Sequence, residues 1–281
     1  MAYEFAIGEP IPAAVERLML EQIERIGEQL GDVDHSIEKR VHDARKRMKE
    51  TRALLRLIRE PLGEAFTVEN TWFRDAGRDL ATARDAAAVV EAIEKLQAHT
   101  KDAALKRRLG RAKRKLQQRS ADSELAARID NVLVQLADAR TRIGAWPPLE
   151  NRFATIGNGL ERTYRDGRRA FARVKIEPTP ENFHELRKRV KDHWYHMRLL
   201  RLIWPDVLEG YAKTLEELSD ALGDHHDLIV VARALDDDPQ LRPLFDDRRA
   251  ELEETAIELA KKVYAERPRD VRRRIRAYWR A

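Results

Sequence analysis

The 281-residue chain carries 54 lysines and arginines against 49 aspartates and glutamates, a formal net charge of +5, and is 43% hydrophobic and 37% charged. That hydrophobic share supports a core for one large domain or two medium ones and excludes a disordered polyelectrolyte. With no cysteine, a disulfide framework, a thiolate metal site and a cysteine nucleophile are excluded.

Long stretches rich in Ala, Leu, Glu, Arg and Lys, with few strand formers, predict an all-α protein. Pro12 suits the first turn of a helix running to about Leu30, where Gly31 and Asp32 stop it. Asp34 offers an N-cap for a helix at 35–59, ended by Pro61 and Gly63. Helical patterns follow at 65–80, 84–98, 102–118 and 122–144, and Pro147-Pro148 is the clearest break in the chain. Beyond it helices are expected at 149–175, 180–203, 206–222, 225–236, 240–264 and 268–279. Their stops are Pro178/Pro180, Pro205, Gly223, the Asp236-Asp237-Asp238-Pro239 run and Pro268.

Six helices precede the break and six follow, which prompts a search for a repeat. HDARKRMK at 42–49 and HELRKRVK at 184–191 lie 142 positions apart. The same gapless offset pairs Arg45 with Arg187, Lys46 with Lys188, Arg47 with Arg189, Lys49 with Lys191, Arg56 with Arg198 and Leu80 with Leu222. The reading is one domain over 1–281 made of two related helical halves, 10–144 and 148–279.

At 100° per residue, Ala44, Met48, Thr51, Leu55 and Ile58 form a core-facing stripe. Beside it His42, Arg45, Lys49, Arg52 and Arg56 form a row about three turns long, matched in the second half by His184, Arg187, Lys191, Trp194 and Arg198, with Tyr195 adjacent. Leu186 and Val190 are expected to face the core. Like charges at these spacings repel. One reading has Asp43, Glu50, Glu185 and Asp192 neutralising a solvated face; the other makes the rows a phosphate track, with Arg as a bidentate fork and Lys as a mobile point charge.

VHDARKRMKETRALLRL and FHELRKRVKDHWYHMRLLRL resemble the two signature helices of the CHAD family, the conserved-histidine α-helical domain. LGDHHDLIVV is similar to its LG-x-x-x-D-[LV] segment, and GLERTYRDGRRAF to the helix before its second signature. The resemblance covers nearly the whole chain. It implies two pseudo-symmetric, four-helix-bundle-like halves of long antiparallel helices around a central basic cavity that binds inorganic polyphosphate. It also implies association with polyphosphate granules and no catalytic role. Carried over by position, the contacts would be His42, Arg45, Lys46, Lys49, Arg52 and Arg56, then His184, Arg187, Lys188, Lys191 and Arg198. Tyr164 and Arg168 are further candidates. The sequence departs from the family pattern where LATARDAAAVV lacks the usual Gly before Arg84-Asp85, and where His226 replaces an Arg. Asp85 and Asp227 are read as helix caps or salt-bridge partners.

Asp224-His225-His226-Asp227 lacks the i, i+4 spacing of zinc-binding histidines and is read as a helix cap with surface histidines at a loop-to-helix junction. His193 and His196 are expected at the bundle's edge. KRRLGRAKRK at 106–115 is either a solvated face or an extension of the track, with Gly110 marking a bend or a close approach. RPRDVRRRIRAYWRA reads as a docking helix with a basic outer face.

No nucleotide loop, HExxH motif or catalytic triad pattern occurs, nor does the Glu-x-Glu-x-Lys motif of the triphosphate-cleaving domain carried by some family members. The expectation is a non-enzymatic protein without cofactor or metal. With no apolar run as long as a membrane span, and a start, MAYEFAIGEPIP, unlike a signal peptide, it is expected to be soluble and cytoplasmic. Nucleic acid is the alternative partner, since the same cations attract any phosphate polymer. Only Trp194 and Tyr195 offer stacking surfaces beside a row.

Overall fold

The computed structural model describes residues 3–81, 85–117, 123–235 and 238–281. Among them all regular structure is helical. Before the Pro147-Pro148 break lie α1 (Ile11–Gly31), α2 (Ile37–Leu57), the single turn α3 (Arg59–Leu62), α4 (Glu64–Asp79), α5 (Asp85–His99), α6 (Ala103–Gln117) and α7 (Ser123–Ile143). After it come α8 (Ala154–Ile176), α9 (Pro180–Leu199), α10 (Pro205–Ala234), α11 (Arg242–Val263) and α12 (Pro268–Arg280), with a 3₁₀ turn at Arg201–Ile203 between α9 and α10.

The two helices bearing the repeated motif start alike. Ser36, rather than Asp34, caps α2 by accepting from the Lys39 amide, and Thr179 caps α9 by accepting from the Asn182 amide. Each has a glutamate in its first turn, Glu38 or Glu181, and an arginine in its last, Arg56 or Arg198, which complements the helix dipole at both ends. The expected core stripe of α2 is buried throughout, from Ala44 to Ile58, as are Leu186 and Val190 of α9.

α2 and α9 pack against each other at the centre. α2 also packs on α1, α4 and α8, and α9 on α8 and α10. The approach of α8 to the end of α2 depends on Gly159, where an added Cβ would lie 2.0 Å from the Leu57 carbonyl oxygen. No side chain fits there without moving the two helices apart.

Two boundaries differ from expectation. The helices expected at 206–222 and 225–236 are one 30-residue helix, α10. Its buried stripe, Leu215, Leu218, Leu222, His225 and Leu228, passes through Gly223 without a phase break, and this packing outweighs the roughly 1 kcal/mol cost of a helical glycine. Asp227 therefore sits mid-helix and is not a cap. The helix expected from 149 begins at Ala154; Asn151 lies outside it and its side-chain oxygen accepts from the Ile11 amide (3.0 Å), supplying the cap that Pro10 lacks for α1. Arg84 and the Asp236-Asp237 stop lie outside the described residues.

α12 docks as expected. Val271 and Ile275 are buried, and the Trp279 ring meets Phe5 edge-on at 5.9 Å. No helix among the described residues is long and apolar enough to cross a membrane.

Candidate functional site

Where α2 meets α9, two ion pairs cross the junction. Arg56 donates to Asp192 (3.1 Å) and Arg198 donates to Glu50 (2.9 Å). Because 50 and 192, like 56 and 198, differ by 142, each pair is the image of the other under the repeat offset. Glu50 is wholly buried and also accepts from Arg47 (2.9 Å). Burial raises the pKa of Asp192, an effect opposed by Arg56, its nearest cation. The inner ends of both rows are thus engaged in joining the two helices, with Glu50 buried at the junction rather than on the solvated face expected.

The outer members face open space. Arg45, Lys49 and Arg52 of α2, Arg74 and Arg78 of α4, and His184 from α9 line a cavity of about 360 Å³. Arg52 donates to Asn70 (3.1 Å) and is pulled down to about 10, first by burial and then by the guanidiniums of Arg56, Arg74 and Arg78. Arg74 and Arg78 went unread in the sequence: one turn apart on α4, they join the row only because α4 packs beside α2, 20 to 30 residues away in sequence.

On α9 the balance differs. Lys191 is lowered by burial, then by Arg187 and by Lys46 of α2, while Asp220 and Asp227 of α10 act in the opposite sense. Lys188 is paired with Glu185, as is Arg189. Arg187 lies against Gly223, where an added Cβ would meet the guanidinium at an ordinary 3.7 Å contact. His42 is exposed, whereas His184 is half-buried, its ring 4.5 Å from that of His226. Burial lowers the His184 pKa, followed by Lys188 and Arg187, and its Nδ1 has no hydrogen-bond partner among the described residues. His226 is held down to about 4 by burial and Arg187, so it does not replace the cationic Arg of the family pattern near neutral pH.

Other candidates are placed elsewhere. Tyr164 is wholly buried and donates to the Glu266 carbonyl (3.2 Å), which also accepts from Arg168. Tyr164 is therefore a core residue and not a surface contact, and Arg168 is engaged with the backbone before α12. His193 and His196 are buried in the core and not at an edge. The His193 ring is 5.4 Å from that of Tyr164 and 5.5 Å from that of Tyr211, and His196 Nε2 is 2.8 Å from the Ala53 carbonyl. Tyr195 is buried too. Trp194 carries the Arg198 guanidinium 5.0 Å from its ring centroid.

In the 106–115 cluster, Arg108 pairs with Asp238 and Lys113 with Glu94. Gly110 marks a close approach to Gln97 within an unbroken helix, and Lys115 lies outside the described side chains. His225 is buried rather than at the surface, because α10 runs unbroken through it, and it points to Glu253 (3.0 Å) while His226 points to His184. Among the described residues no group of three or more carboxylates and histidines is disposed to hold a metal.

Known proteins were compared on this basis. A family model described as CHAD domain matches residues 8–236. The crystal structure of the CHAD domain from the plant Ricinus communis aligns with 100% of this chain and 94% of its own, with a TM-score of 0.51 and 19% identity. At that identity the likeness is one of fold. No curated protein sequence matches.

Proposed function

The chain belongs to the CHAD domain family, and on that premise we propose that it binds inorganic polyphosphate as a non-catalytic module. The observation carrying this reading is the cavity lined by Arg45, Lys49, Arg52, Arg74, Arg78 and His184. Like charges gathered around one cavity repel one another, and a polymer of phosphates offsets that repulsion through bidentate Arg bonds and Lys contacts. Lys46 of α2 and Arg187, Lys188 and Lys191 of α9 extend the track, and the two halves act as related units. A chain so held would target the protein to polyphosphate granules in the cytoplasm or organise them.

Nucleic acid fits less well. Single strands are held largely by aromatic stacking, yet Tyr195 is buried and one side of Trp194 is covered by Arg198.

Charge reversal at Arg45, Lys49, Arg187 and Lys191 tests the site. Loss of binding to long-chain polyphosphate, with helical content retained by circular dichroism, is expected. Unchanged affinity at moderate salt would reject the assignment.

A further inference from the structure

The repeat relates the two rows, but not what stands opposite them. At the 142-residue offset, Arg52 becomes Trp194, Arg74 becomes Glu216 and Arg78 becomes Asp220. The first half thus places Arg78 where the second places Asp220, a carboxylate acting on Lys191, and five arginines and lysines line its cavity.

The cavity has the dimensions of a small-ligand site. Its 360 Å³ lies at the lower end of the range for compact ligands. Met48, Phe73, Gly77 and Ala81 contribute its apolar part. Arg74 is held by the adjacent Asp75 through two bonds (2.8 and 2.9 Å), which fixes its position beside the cavity. His184 closes the lining from α9.

Resting on the polyphosphate reading, we infer that the α2–α4 cavity is a discrete site for a short oligophosphate, either a free one or the end of a long chain. Arg74 and Arg78 set its preference. A linear run of a few phosphates brings dense negative charge into a space that five permanent cations surround, and each guanidinium can take two oxygens. A short ligand is held less strongly by the second row, where Glu216 and Asp220 stand in place of Arg74 and Arg78. A long chain starts in the cavity and then crosses to Arg187 and Lys191. Binding is thus polar along the chain axis, with one oligophosphate per protein.

The experiment is isothermal titration of the full chain with sodium tripolyphosphate and, separately, with long-chain polyphosphate. The wild type is expected to take one tripolyphosphate. Arg74→Gln/Arg78→Gln should weaken it about tenfold, as expected from the loss of two charge-assisted contacts, and Arg78→Gln alone by less. Arg187→Gln/Lys191→Gln should weaken the long chain more than tripolyphosphate. Arg273→Gln, on the exposed face of α12, should change neither. Two tripolyphosphates per chain, or equal affinity in the Arg74/Arg78 variant with its fold intact, would overturn the inference while leaving long-chain binding standing. A wild type that binds neither ligand would overturn the polyphosphate reading itself.

Discussion

Replacing Arg198 with Met separates the structural ends of the two rows from the ligand-facing ends. Arg198 donates to the wholly buried Glu50, which would then keep only Arg47. A hydrogen bond to a charged group contributes about 1.5–3 kcal/mol. The Arg198 side chain is 32% exposed, so solvent screening brings this down to about 1–2 kcal/mol. For a chain of this size each kcal/mol moves Tm by about 2–4 °C. The variant should therefore melt a few degrees lower by circular dichroism while its affinity for long-chain polyphosphate falls only about twofold, the effect of one remote charge. Arg45→Gln/Lys49→Gln should weaken binding much more, about tenfold. If Arg198→Met melts like the wild type yet loses as much affinity as the Arg45/Lys49 variant, the division of the row is wrong.

Gly159→Ala should destabilise by at least about 1–3 kcal/mol, read as a lower midpoint in urea, because its Cβ would overlap the Leu57 carbonyl. Burial lowers His193 to about 3 and His196 to about 4, so below the unfolded value near 6.5 the unfolded chain takes up protons that the folded one does not. Stability should then fall as pH drops from 6.5 toward 4, by about 1.4 kcal/mol per pH unit for each histidine. His196→Gln should flatten the dependence of Tm on pH, and an unchanged slope would refute that assignment. His184, whose pKa is lowered in the free protein, gains a proton when an anion neutralises its surroundings. Polyphosphate binding should therefore strengthen as pH falls from 8 to 5.5, with proton uptake detectable by calorimetry in buffers of different ionisation enthalpy. His184→Asn should remove that uptake.

The helix content and the buried face of α2 were legible because a 3.6-residue period written by Ala44, Met48, Thr51, Leu55 and Ile58 needs no tertiary information. Gly223 misled because a glycine in a long helix and a glycine between two helices look alike locally; the buried stripe on both sides decided between them. The basic row was visible as spacing, but spacing could not divide it into members tied to Glu50 or Asp192 and members around the cavity. That division depends on the α2–α9 contact. Arg74 and Arg78 needed the packing of α4 on α2, and the burial of His193, His196 and Tyr195 needed the neighbours that cover them. Histidine and tyrosine are compatible with either a surface or a core position, so residue type alone does not choose.

The most direct test is a competition titration of the purified chain between long-chain polyphosphate and single-stranded DNA or RNA of equal phosphate content, repeated across a salt series. A track of cations neutralising successive phosphates predicts that polyphosphate wins at every salt concentration, with log affinity falling linearly against log salt as counterions are released. Preference for the nucleic acid, or an affinity for polyphosphate that does not change with salt, would contradict it.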